Sequence, residues 1–256
     1  MTIDHWQTPS PLAAIPSMTP SDEPPPPAID ATDPEWQRAQ LRRLRLESSE
    51  IPARFRRPEV SVHAWLPEDE AGAALKRQLA DYVKTAWSRR GTDEPAGLLL
   101  WGGRGRGKTH LACAVAKALI TLHCARVLYA QTTGIFSEIK ATFGRDDGDT
   151  EDGILERLSE IPVLLLDDLG SGRCQAEWEA EKLYQVIDAR YGNGKITIIT
   201  TNWSPLDVAQ PQPREAFSSD LARMVGERVT SRLLEMCEIH QVCGTDHRAP
   251  AMKGKT

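Results

Sequence analysis

Gly102, Gly107, Lys108 and Thr109 satisfy the spacing G-x-x-x-x-G-K-[ST] inside the stretch LLLWGGRGRGKTHL, residues 98–111. Glycines at such a bend let backbone N–H groups approach phosphate oxygens with no Cβ in the way. A helix that follows offers the positive end of its dipole to the same charge. In this pattern the lysine reaches the β- and γ-phosphates and the threonine hydroxyl holds magnesium. Gly102, Gly103, Arg104, Gly105, Arg106, Gly107, Lys108, Thr109 and His110 are therefore the candidate nucleotide-binding residues. The alternative, a flexible Gly/Arg loop between two elements, does not account for Lys-Thr at a helix start.

A second cluster has matching chemistry. Val163-Leu164-Leu165-Leu166 is an apolar strand that runs into Asp167 and Asp168. Ligands in open α/β sheets sit at the carboxyl ends of strands, so these carboxylates would lie beside the phosphates. Asp167 is the candidate magnesium holder through its water shell, and Asp168 the candidate to orient or activate an attacking water. The pair could instead open a turn before Leu169-Gly170. The run ITIITTN places Asn202 after another apolar strand, where an amide can touch the γ-phosphate or position water, although asparagine is also a common turn residue. Arg228 and Arg232 form a row one residue before the stripe Val225, Val229, Leu233, so both point the same way from its edge. That placement suits an arginine finger acting on a neighbouring subunit's nucleotide, or equally a surface pair with Glu227 or Glu235.

These residues need strands to end beside a loop, and the periodicity supplies them. Strands are expected at 98–101, 126–130, 163–166, 195–200 and 239–242. Helices are expected at 70–90, 109–123, 132–143, 153–159, 177–190 and 218–236. Alternation of this kind predicts an α/β fold, a parallel sheet of about five strands covered by helices on both faces. Ahead of it, Asp33-Pro34-Glu35 is a helix start, followed by some fifteen helical residues. Seven arginines face two glutamates between residues 36 and 57, a local excess of +5 in a chain of net charge −5. This segment reads either as a partner surface or as a solvated helical face. Residues 1–31 are too rich in proline and too poor in apolar side chains to fold, and are expected to form a disordered tail.

The 256 residues are enough for one medium domain with an appendage. No apolar run approaches the ~20 residues of a membrane span and the N-terminus has no signal-peptide pattern, so a cytoplasmic protein is expected. Five scattered cysteines without a C-x-x-C pair indicate neither a disulfide framework nor a zinc site.

In order and spacing, LLLWGGRGRGKTHLA, VLLLDDLG, TIITTN and GERVTSRLLEMC resemble the AAA+ P-loop ATPases of the DnaC type, the replicative-helicase loaders, and their IstB-like transposition relatives. IPARF, before the core, is similar to the loaders' approach to theirs. The likeness covers about residues 50–248. It implies Lys108 and Thr109 as Walker A, Asp167 and Asp168 as Walker B, Asn202 as sensor 1 and Arg232 as the arginine finger, with Arg228 as neighbour or substitute. It implies ATP and Mg2+ as cofactors and slow hydrolysis, since Asp168 stands where many AAA+ motors carry a longer glutamate. The partners it implies are a replicative DNA helicase held by the N-terminal region, single-stranded DNA, and other copies of the chain joined through Arg232 in trans. A transposase-helper ATPase and a nucleotide-binding adaptor without significant turnover are the alternatives. Two departures stand out: the cysteine cluster that precedes the core in some relatives is absent, and the 24 residues after Arg232 are too few for a C-terminal lid domain. The expected organisation is thus a tail over 1–31, an Arg-rich helical partner-binding region over 32–68, an ATPase domain over 69–248 and a tail over 249–256. The five carboxylates of residues 145–152 argue against that loop tracking DNA. Lys140, Phe136 and Phe143 are the nearest DNA candidates, with core packing expected for both phenylalanines.

Overall fold

The computed structural model describes residues 32–143, 150–171, 177–206 and 220–247. The chain divides into residues 1–37, described only where α1 begins, and residues 38–256, which hold the sheet. Along the chain run α1 (Pro34–Glu47), α2 (Ala53–Arg56), α3 (Glu70–Thr85), β1 (Gly97–Trp101), α4 (Lys108–His123), β2 (Val127–Gln131), α5 (Thr132–Thr142) and α6 (Glu151–Glu160). Then follow β3 (Val163–Leu169), α7 (Glu177–Gly192), β4 (Ile196–Thr201), α8 (Asp220–Val225), α9 (Glu227–Met236) and β5 (Cys237–Gln241). Local sequence explains the starts. The Asp33 carboxylate accepts from Glu35 N–H at 2.9 Å, Asp69 caps α3 from Gly72 N–H at 2.7 Å, and Thr150 caps α6 from Gly153 N–H at 3.1 Å.

The five strands are all parallel in the order β2-β3-β4-β1-β5. Consecutive residues of one strand serve opposite faces: Leu98 and Leu100 join a core with Leu111 and Val115 of α4, whereas Leu99 joins one with Ile187 of α7 and Leu233 of α9. All three leucines are fully buried, each worth about 1.5–3 kcal/mol relative to exposure. Ile51, Val60 and Val62 belong to the α4-side core. Lys117 fastens this approach segment by donating to the carbonyls of Arg57 and, at 2.8 Å, Val60, and Lys76 does so at His63 and Trp65, both at 2.7 Å.

Three expected boundaries are corrected. The helix expected over 70–90 ends at Thr85, and the chain turns through to Gly91 at φ 72°. The helix expected over 218–236 is two helices, because Gly226 at φ 93° and ψ 152° breaks the ladder between α8 and α9. Val225, Val229 and Leu233 are still all buried, since the apolar stripe survives the break. The last strand starts at Cys237, directly on the end of α9.

Candidate functional site

Gly102 follows β1 at φ 146°, and a Cβ there would lie 2.4 Å from the Val242 carbonyl oxygen, so only glycine lets the chain leaving β5 pass the loop. Gly107 adopts a left-handed φ of 86° at the N-cap of α4, which turns the chain into the helix. Lys108 is buried, and its ammonium donates to the carbonyls of Gly102 at 2.9 Å and Gly103 at 2.8 Å and to Asn202 Oδ1 at 2.7 Å.

β4 lies between β1 and β3, so its carboxyl end links the strand that carries Asp167 and Asp168 to the loop. Asp167 is buried and its carboxylate is met by hydroxyls: Thr109 at 2.8 Å and Thr200 at 2.6 Å on Oδ1, Tyr129 at 2.9 Å on Oδ2. Neighbours in a regular strand face opposite ways. Here the pairing of β3 with β4 shifts register between Leu166 and Leu169, and Asp168 sits at φ 59°, left-handed for a non-glycine residue. That conformation costs about 1–3 kcal/mol. The bulge re-aims Asp168, whose Oδ1 accepts from Asn202 Nδ2 at 2.8 Å and whose N–H donates to Thr200 Oγ1 at 2.8 Å. The Asn202 amide thus joins the Lys108 ammonium to the Asp168 carboxylate.

The structure therefore brings Lys108, Thr109, Asp167, Asp168 and Asn202 into one hydrogen-bonded group. The donor set suits a hard cation beside a phosphate. Thr109 gives its proton to Asp167 and keeps lone pairs on its oxygen, and magnesium is commonly held by one or two protein oxygens plus phosphates rather than by an all-protein cage. His110 and Arg106 are engaged elsewhere. The His110 ring packs edge-on against Phe55 at 6.4 Å, and burial followed by the nearby Lys117 charge lowers its pKa. The Arg106 guanidinium folds over Gly103, where a Cβ would come within 2.7 Å of its Nε. Arg104 is exposed.

Arg232 and Arg228 both face α7. Arg232 Nε pairs with Asp188 at 2.9 Å, Nη1 lies 3.8 Å from Glu235, and the guanidinium covers the Tyr191 ring at 4.6 Å. Arg228 pairs with Glu181 at 3.6 Å over the Tyr184 ring at 3.7 Å. Lys140 pairs with Glu179 at 2.9 Å. Phe136 is partly buried against the core, but Phe143 is exposed, against the packing expected for it; its ring meets Trp178 edge-on at 5.9 Å. Most of the loop 145–152 lies outside the described residues. Cys113 and Cys237 are buried thiols, the former pushed up to about 12 by burial; Cys174 lies outside the described residues. No helix among the described residues is long and apolar enough to cross a membrane. Sequence reasoning missed Tyr129 as a partner of Asp167. Its one signal was a phenol hydroxyl within an otherwise apolar strand, in the middle of β2.

Comparison with known proteins agrees with the geometry. The model of the family described as IstB-like ATP binding protein matches residues 69–251. The Replicative helicase loader DnaC of Buchnera aphidicola subsp. Schizaphis graminum is 28% identical over 138 residues, 54% of this chain and 50% of that protein. The Phage-like element PBSX protein XkdC of Bacillus subtilis is 28% identical over 177 residues, covering 68% of this chain and 58% of the relative. The chain thus spans about half the length of the curated relatives it matches. Among solved structures, that of the DnaC helicase loader superimposes with a TM-score of 0.61 at 30% identity, covering 75% of this chain and all of the other. A parallel five-stranded sheet with this loop at its edge is the AAA+ P-loop fold, and the chain belongs to the IstB-like ATP binding protein family.

Proposed function

We propose that this chain binds and hydrolyses ATP with magnesium and uses the nucleotide state to load a replicative DNA helicase onto single-stranded DNA. The observation that supports the chemistry best is the Asn202 amide spanning Lys108 and Asp168, beside an Asp167 held against Thr109. A γ-phosphate bound at the loop would meet the Lys108 ammonium and the Asn202 amide, and the Asp168 carboxylate would serve the attacking water. Lys108 would exchange its loop carbonyls for the phosphates, the N–H groups of the loop and the start of α4 would hold the β-phosphate, and Thr109 with Asp167 would hold the metal. Bound there, magnesium supplies positive charge that neutralises the phosphate oxygens. Asp168 accepts the proton of the water, and its short reach goes with slow turnover.

The loader role rests on likeness to the DnaC helicase loader structure, which the alignment covers from end to end. α1 is the surface for the helicase, since no residue in it is buried and Leu41 and Leu44 are exposed among its arginines. Hydrolysis is completed by Arg232 from a neighbouring copy, which requires it to leave Asp188. Such a chain works in the cytoplasm.

Two measurements check this. Co-purification of the full chain with a replicative helicase in the presence of ATP is the expected result; capture of a transposase instead would move the role to the transposition helpers. Steady-state hydrolysis at rising protein concentration should increase per chain as copies assemble, and Arg232→Ala should hold it at the dilute level. The Arg232 pair with Asp188 is half-buried at the surface and still screened by solvent, so the variant's thermal midpoint should stay close to the wild type. An Arg232→Ala chain that assembles and hydrolyses like the wild type removes the finger role.

A further inference from the structure

Tyr129 is buried in the middle of β2, and its hydroxyl donates to Asp167 Oδ2 at 2.9 Å. Thr109 and Thr200 both donate to the other oxygen, Oδ1. The carboxylate is therefore gripped from two sides, and its rotation is fixed with Oδ1 toward the threonine that would share the metal. β2 is an edge strand, so an N–H on its outer side would otherwise be left to solvent. Tyr129 N–H is instead taken by the Ser49 carbonyl at 2.8 Å. Ser49 is itself buried just past the end of α1; its hydroxyl donates to the Leu46 carbonyl at 2.7 Å and accepts from Ile51 N–H at 3.4 Å. Ile51 and Tyr129 lie in the same core. Tyr129 is thus held by its backbone to the segment leaving the Arg-rich helix while its side chain holds Asp167.

We propose that Tyr129 is a positioning residue for the magnesium site: it holds Asp167 in the orientation that receives the metal, and is itself held by the segment that follows α1. The inference rests on the ATP–magnesium reading of the site. A donor lost from the shell around a metal-holding carboxylate lowers metal affinity about 10- to 100-fold, because the carboxylate must then be ordered during binding.

The test uses the full chain and its Tyr129→Phe variant, which keeps the ring in the core and removes only the hydroxyl. Affinity for a fluorescent ATP analogue is measured in EDTA and then across a magnesium titration, with the thermal midpoint followed alongside. The expected result is an unchanged affinity in EDTA, a magnesium concentration for half-maximal tightening raised about tenfold, and a retained fold. A magnesium requirement equal to that of the wild type overturns the proposal. So does an equal loss of affinity with and without magnesium, which would mark Tyr129 as a residue of the fold alone. Should the wild-type chain bind no nucleotide under any condition, the reading of the site as an ATP site fails, and that failure is seen before the variant is examined.

Discussion

Lys108→Ala is expected to weaken nucleotide binding by roughly 30- to 5,000-fold. The Lys108 ammonium is buried and surrounded by acceptors: two loop carbonyls and Asn202 Oδ1, all within 2.9 Å. With phosphates present this is the loop's own cation. Truncating one partner of a buried, hydrogen-bonded charge pair costs about 2–5 kcal/mol, roughly 30- to 5,000-fold in affinity. Thermal unfolding with and without nucleotide reads this directly. A ligand at about 100 times its Kd stabilises the wild type by about 2.7 kcal/mol, and a variant bound 100-fold more weakly would gain only about 0.4 kcal/mol at the same concentration. The nucleotide-induced shift in midpoint should therefore all but vanish. A shift of wild-type size in Lys108→Ala would sink the assignment of the loop.

The second large effect lies away from the loop. Arg190, in the last turn of α7, is fully buried, and its guanidinium closes three elements together. Nη1 donates to the carbonyls of Leu158 at 2.8 Å, Ser159 at 3.3 Å and Ile161 at 2.8 Å, which end α6 and lead out of it. Nε donates to Thr197 Oγ1 at 2.9 Å and Nη2 to the Ile196 carbonyl at 2.5 Å, at the start of β4. The last carbonyls of a helix have no partner within it, so this side chain serves as the C-terminal cap of α6. Arg190→Ala removes the donors, strands buried carbonyls and opens a cavity. The expected loss is about 3–5 kcal/mol, measured as a lower urea midpoint at unchanged slope. Arg190→Lys should recover only part, because one ammonium cannot reproduce the planar fork. Nucleotide affinity per folded molecule should not change, and a loss of affinity in step with stability would instead tie Arg190 to the site.

Arg190 also shows where sequence reasoning stops. A charged residue in the last turn of a helix favours the macrodipole and reads as solvated. Nothing in its neighbours says that the end of α6 and the start of β4 will close over it. Gly226 is the opposite kind of failure. The stripe Val225, Val229, Leu233 continues across the break, because both short helices bury the same side, so periodicity alone describes one helix.

What the sequence determined by itself was the chemistry and its order: the glycine, lysine and threonine of the loop, the paired aspartates after an apolar strand, the asparagine after another, and the α/β alternation that carries them. Phosphate and metal chemistry demand particular residue types within a few positions of one another, and hydrophobic periodicity is a local pattern. Tertiary structure alone decided which strand lies beside which, and so that Asn202 bridges Lys108 to Asp168 across 94 and 34 residues of chain. It also decided that Asp168 is turned by a bulge at a left-handed φ, that Tyr129 and Thr200 hold Asp167, and that Arg228 and Arg232 rest on the tyrosines of α7 in the single chain. Each of these is a contact between segments far apart in sequence. Such contacts depend on how twisted strands and packed helices fill space, which no local pattern of residues records.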